Sequence, residues 1–281
     1  MRQRMSSSAA RVTLILSGLL SQALACRDIS APDVPWTAVQ TTPPARFALW
    51  WQLTETCSGV PGNYSSISWY VVPNTTTLSY QGRQVYGYWL GNPDRIVLAD
   101  YYHNNGPIVR HEMLHALLHR NGHPRADFLT ACGGVVACDG ACVADAGGTA
   151  PPPASAPELQ PREVGTRFDV MSLPPAGVAD TVPVAVMVTI TNPRTEPVWV
   201  RLAARESGDL VHFTFGIIVD YDDPERITTL DSDETGLDRF PLDAGESRRW
   251  VWDRTLNRGR YGIRGYFNVD TTARQVISLG Q

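Results

Sequence analysis

The stretch Asn104-Asn105-Gly106-Pro107-Ile108-Val109-Arg110-His111-Glu112-Met113-Leu114-His115-Ala116-Leu117-Leu118-His119-Arg120-Asn121-Gly122-His123 organises the reading of the whole chain. Pro107 suits the first turn of a helix, where the missing N–H would have no partner anyway. Asn121-Gly122 is a stop signal, because these residues tolerate the left-handed conformation that ends helices. The spacing predicts a helix from about Ile108 to Arg120. Upstream lie three strand candidates, rich in β-branched and aromatic residues and closed by turn formers. They are Ile67 to Val72 before Pro73, Gln84 to Leu90 before Gly91-Asn92-Pro93, and Arg95 to Ala99 before Asp100. An earlier apolar run, Phe47 to Leu53, fits helix or strand, and its periodicity does not choose. Strands followed by a helix bearing polar chemistry make an α+β pattern.

His111 and His115 are four residues apart. On a helix this puts both imidazoles on one face, one turn apart, where both can bind one Zn²⁺ at about 2.1 Å. Glu112 is too close to His111 to be the natural third ligand, but it can take a proton from water and pass it to a leaving amine. This H-E-x-x-H arrangement resembles the zincin metallopeptidases over about Arg95 to Cys132. The resemblance implies a zincin-like α+β catalytic domain, a zinc cofactor, a peptide or protein substrate, and Glu112 as general base. It also puts the strand Arg95 to Ala99 where the family has an edge strand that pairs with substrate. The further glycine and histidine of the metzincin branch are absent, since Leu118 and Asn121 occupy those positions. Three candidates remain for the third ligand. His119 lies on the same predicted helix, about 12 Å along its axis from His111. His123 follows the helix stop and precedes Pro124, which disfavours helix at His123. Asp127 offers a carboxylate. His123 is favoured, giving the metal set His111, His115 and His123.

The N-terminus has the three parts of a secretory signal. Arg2, Arg4 and Arg11 precede the apolar run Val12 to Leu20, and Ala23-Leu24-Ala25-Cys26 comes next. The site resembles a bacterial lipoprotein signal, with Ala23 where Leu is usual, so either lipidation of Cys26 or ordinary cleavage after Ala25 fits. Five cysteines, Cys26, Cys57, Cys132, Cys138 and Cys142, cannot all pair within one chain. Lipidating Cys26 leaves four, which suit an oxidising compartment. Of the three connectivities, Cys57–Cys132 with Cys138–Cys142 is favoured; it clips the segment after the site to the first element and closes one small loop.

The chain thus divides into a signal peptide (1–25), a tether (26–45), the zincin-like metallopeptidase domain (46–146), a Pro-rich linker (147–165) and an all-β sandwich domain (166–281). Short strands punctuated by turns, Val182 to Ile190, Val198 to Leu202, Val211 to Phe215, Arg248 to Trp252 and Arg260 to Phe267, resemble bacterial immunoglobulin-like domains. Leu242 to Glu246 and Asn257-Arg258-Gly259 look like hairpin corners. A net charge of −4 with no basic block argues against nucleic acid as a partner. The acidic residues between Asp220 and Glu234 read as a solvated loop. The function expected is zinc-dependent peptide-bond hydrolysis outside the cytoplasm, with a membrane as partner if Cys26 is lipidated. The alternative is a non-catalytic surface lipoprotein of the same fold that binds a metal or a partner.

Overall fold

The run Phe47 to Leu53, which period alone does not assign, is helical. It lies within α1 (Arg46–Ser58), which ends at Gly59 in the left-handed region. Phe47, Leu49, Trp50, Trp51 and Leu53 are all buried, and within the run only Gln52 is exposed; the solvent face becomes visible only with Thr56, one turn on and beyond the run. A computed structural model describes residues 34–147, 151–160, 163–173, 180–201, 215–221, 227–231, 239–267, 270–271 and 275–279 of the chain. The expected signal peptide and Cys26 lie outside these residues, as do most of the acidic stretch between Asp220 and Glu234 and positions 211–214 of one expected strand. Residues 35–281 belong to one compact unit. The chain is a mixed α+β region followed by a β-rich one.

Four strands build the N-terminal sheet: β1 (Val39–Thr41), β2 (Ser68–Val72), β5 (Gly87–Leu90) and β6 (Arg95–Ala99), in the order β1-β2-β6-β5. β2 and β6 run parallel, and β5 pairs antiparallel with β6. Two expectations change here. The run Gln84 to Leu90 is not one strand. It bends at Tyr86, so that β4 (Arg83–Val85) forms a hairpin with β3 (Leu78–Tyr80), while β5 joins the sheet. And Arg95 to Ala99 is not an edge. Ile96, Val97, Leu98 and Ala99 are fully buried between β2 and β5, and β5 is the outer strand.

The helix α2 (Gly106–Leu118) packs on β5, β6 and α1. The Asn105 side chain accepts a hydrogen bond from the Ile108 N–H at 3.3 Å, capping the helix start. Gly106 is needed for space: a Cβ there would meet the Arg110 guanidinium at 2.7 Å and the Trp50 ring at 3.2 Å. After α2 come a π-helical turn (Ala126–Ala131) and the short α3 (Gly140–Asp145). Cys57–Cys132 and Cys138–Cys142 are both bonded, with Cα atoms 5.0 Å apart in each pair. The first joins α1 to the end of the π-helical turn.

The described residues of the C-terminal region form three sheets. β9 (Thr181–Thr191) lies between β8 (Gly165–Ser172) and β14 (Ser247–Asn257). β10 (Val198–Arg201) lies between β13 (Arg239–Leu242) and β7 (Glu158–Leu159). β11 (Phe215–Tyr221) pairs with β12 (Ile227–Asp231) and β15 (Gly259–Phe267), and β16 (Asp270–Thr271) and β17 (Gln275–Leu279) pair with β15. Within the Pro-rich stretch, β7 runs parallel to β10, and the Trp199 indole donates to the Pro153 carbonyl at 3.1 Å. The two expected hairpin corners are corners between sheets: β13 pairs with β10 and β14 with β9, while β15 pairs with β11. Ala185 and Met187 of β9 join the core built by α1, α2, β2 and β6. Arg110 of α2 is 3% exposed, with its Nη1 3.6 Å from Asp253 of β14. The Trp50 indole donates to the same carboxylate.

Candidate metal centre

α2 supplies His111, Glu112 and His115. It stops earlier than the Asn121-Gly122 signal suggests, because His119 itself takes the left-handed conformation (φ 48°, ψ 42°). Histidine is among the non-glycine residues that reach this region most readily. The reversal brings the Arg120 carbonyl back to the helix end, where it accepts from His115 Nδ1 at 2.8 Å. It also lets His123 approach the pair from beside the helix.

Three ring nitrogens converge. His111 Nε2 lies 3.1 Å from His115 Nε2 and 3.2 Å from His123 Nε2. Each opposite nitrogen has an acceptor: His111 Nδ1 faces the Ala137 carbonyl at 2.6 Å, His115 Nδ1 the Arg120 carbonyl, and His123 Nδ1 the Asp145 carboxylate at 3.2 Å. A carbonyl only accepts, so the proton of His111 and of His115 sits on Nδ1 and leaves Nε2 as a lone pair. Burial reinforces the neutral form, pushing His111 down to about 4 and His115 down to about 3. Lone pairs this close repel one another unless a cation lies between them. Nitrogens about 2.1 Å from one tetrahedral ion lie roughly 3.4 Å apart, close to the spacing here. The donor set is three imidazoles with outward hydrogen bonds, the usual support of metal-binding histidines. These residues fit a zinc ion.

Phe128 of the π-helical turn forms the base of this group. It is fully buried, and its ring centroid lies 4.9–5.0 Å from each of the three imidazole centroids. Its role has no signal in sequence, since an isolated Phe after a helix is ordinary core. Asp145 is equally invisible there, lying 22 residues beyond His123. The other ligand candidates go elsewhere. The His119 side chain is 70% exposed and faces Asp94 at 3.7 Å, and Asp127 pairs with Arg120 at 3.6 Å.

Glu112 is 5% exposed, and burial pushes its carboxyl up to about 8. It packs against the first residue of β5. A Cβ on Gly87 would meet Glu112 Cγ at 3.0 Å and Leu98 Cδ2 at 2.9 Å. Tyr80 of the β3–β4 hairpin stacks on Tyr88 with centroids 4.4 Å apart. Its hydroxyl is shifted upward by burial and then by Glu112, which places it beside this carboxyl; Tyr101, close in sequence to the helix, is 74% exposed.

No protein-family model matches this chain, and no curated protein matches it. Solved structures similar to it include a structural-genomics target named SoR45, with 8% identity, 43% of this chain and 89% of that chain covered, and a TM-score of 0.26. A protein described as ApaA from Bordetella pertussis has 16% identity over 41% of this chain and 94% of its own, with a TM-score of 0.24. A protein from Archaeoglobus fulgidus has 6% identity over 42% of this chain and 98% of its own, with a TM-score of 0.22. At these TM-scores the likeness carries no argument about fold or activity.

Proposed function

We propose that this chain is a zinc metallopeptidase of the zincin type that hydrolyses peptide bonds outside the cytoplasm, held to a membrane through Cys26 or released after Ala25. The observation that supports this most is the convergence of three imidazole Nε2 atoms beside a buried carboxyl, Glu112, that adjoins His111 in the chain. Zinc held by His111, His115 and His123 would supply Lewis acidity toward a peptide carbonyl and toward water, and a positive charge that favours the ionised form of Glu112. Ionised Glu112 takes a proton from the attacking water as the C–O bond forms. It then gives that proton to the amine nitrogen as the C–N bond breaks, so one water is consumed per bond cleaved. The outward hydrogen bonds of the three histidines fix ring direction and tautomer, and Phe128 closes the base of the site against solvent. The disulfides accord with an oxidising compartment. Among the described residues no helix is long and apolar enough to cross a membrane.

The test combines metal analysis with a peptide-library digest. Protein purified without chelator should carry one zinc per chain and cleave at defined bonds. Glu112→Gln should keep the zinc and lose turnover by about 10²–10⁴-fold, the usual contribution of a general base. Zinc below half an equivalent, even after zinc is offered, would refute the metal site. One equivalent of zinc with no cleavage anywhere in the library would favour the binding-protein reading.

A further inference from the structure

The two disulfides stand differently toward the metal centre. Cys57 and Cys132 are 75 residues apart, so their bond restrains a long loop of the unfolded chain. Cys138 and Cys142 are 4 apart, and a ring that small removes little chain entropy. Its placement is more informative than its size. Ala137, directly before the ring, accepts from His111 Nδ1 at 2.6 Å. Asp145, one turn beyond Cys142 on α3, faces His123 Nδ1 at 3.2 Å. The same Oδ2 meets Arg83 Nη1 of the β3–β4 hairpin at 3.3 Å. Ala137 is tied to the start of α2, its N–H donating to the Pro107 carbonyl at 2.9 Å. Ring closure therefore sets how α3 leaves this anchored point, and with it where Asp145 stands.

Building on the metal-site reading, we propose that the loop closed by Cys138–Cys142 is the positioning element of the metal centre, aligning His111 through the Ala137 carbonyl and His123 through the Asp145 carboxylate, so that metal affinity depends on the oxidation state of this disulfide. A dithiol reductant would open it by exchange. Its two thiols become one disulfide, and two electrons and two protons pass to Cys138 and Cys142. No ligand is touched, yet His123 loses a fixed outward partner, and the Ala137 carbonyl that faces His111 is left held by the Ala137–Pro107 hydrogen bond alone. Loss of such a partner typically lowers metal affinity about 10–100-fold. Asp145 is a positioning residue in this scheme, acting on the metal only through His123.

The experiment measures zinc affinity of the full exported chain by competition with a chromogenic chelator, alongside the visible spectrum of the cobalt(II)-substituted protein. The variants are Cys138→Ser/Cys142→Ser, Asp145→Ala, Asp145→Asn and, as a control on an exposed side chain of the same ring, Asp139→Ala. Far-UV circular dichroism checks that each is folded. The double serine variant and Asp145→Ala should each bind zinc at least about 10-fold more weakly and show altered cobalt bands. Asp145→Asn, which keeps an acceptor oxygen, should stay within a few-fold of wild type, and Asp139→Ala should match it. If the double serine variant misfolds, dithiol titration of wild type replaces it, with the affinity loss expected to track appearance of the Cys138 and Cys142 thiols by mass spectrometry. Unchanged affinity in the double serine variant and in Asp145→Ala overturns the proposal, as does an equal loss in Asp139→Ala. Absence of zinc from oxidised wild type is a different result: it removes the metal-site reading itself.

Discussion

Glu112→Gln should stabilise the metal-free protein, and the gain should grow with pH in a calculable way. The Glu112 carboxyl titrates at about 8 when folded, against an ordinary value of 4.5. Its folded pKa is raised, so the stability it contributes is full below pH 4.5 and is lost as pH rises through about 8. Between those values the unfolded chain releases the proton while the folded one keeps it, so each pH unit costs up to about 1.4 kcal/mol. The cost is about 1 kcal/mol at pH 5 and about 4 kcal/mol at pH 8, to order of magnitude. Gln fills the same volume without titrating. Any fixed cost of burying the amide is the same at both pH values, so the difference between them isolates the carboxyl. Urea unfolding of chelated wild type and variant at pH 5 and pH 8 should show the variant's advantage growing by roughly 3 kcal/mol. The titrations of His111 and His115 are common to both proteins and cancel. An advantage that stays flat across this range would show that Glu112 is not held in a dry pocket, and the proposal that it carries a proton would fall with it.

Further outcomes rest on the same geometry. His123→Ala should remove tight zinc binding and turnover, whereas His119→Ala, on an exposed side chain, should leave both near wild type by metal analysis and peptide assay. Gly87→Ala puts a Cβ within 3.0 Å of Glu112 Cγ and Leu98 Cδ2. It should destabilise by about 1–3 kcal/mol, as overpacking does, and reduce turnover more than zinc content. Removing the Cys57–Cys132 bond, which closes a 75-residue separation, should lower unfolding stability by about 4 kcal/mol in denaturant titration. Between pH 6.5 and about 4.5 the metal-free Glu112→Gln protein should lose stability in urea titrations as pH falls, because His111 and His115, lowered to about 4 and about 3 by burial, stay neutral in the fold while the unfolded imidazoles take protons; in wild type the raised Glu112 carboxyl offsets part of that loss.

The parts of this molecule legible in sequence are those whose reason is local. The H-E-x-x-H spacing fixes two imidazoles on one helical face whatever surrounds them. The strand Arg95 to Ala99 is bounded as its turn formers suggest, and Cys57–Cys132 and Cys138–Cys142 pair as spacing favours. The features that sequence does not reveal are set by distant partners. The run Phe47 to Leu53 shows no clear period because Ala185 and Met187 of β9 join the core against α1 and widen its buried face. The centrality of β6 depends on how the chain bends at Tyr86, and nothing in Gln84 to Leu90 marks that break except Gly87, whose missing side chain makes room for Glu112. The helix ends at His119 instead of Gly122 because His119 takes the left-handed conformation, and the Arg120 carbonyl turned back there accepts from His115. Phe128 and Asp145 complete the centre from elements with no motif of their own.

Arg110 sits one residue before the first histidine, and its counterion, Asp253, belongs to a strand made near the end of the chain. Its guanidinium donates to the Val135 carbonyl at 2.6 Å, and burial lowers it to about 10 while Asp253 partly restores it. A ribosome emitting this protein from its N-terminus delivers all three imidazoles long before the charge that neutralises Arg110. Until β14 arrives, the helix carrying the site must leave a cation uncompensated in a dry interior, or stay open to solvent. The three imidazoles are thus synthesised early, but the carboxylate that lets their helix be buried comes late. A nascent chain halted before Asp253 should accordingly bind zinc far more weakly than the full-length protein.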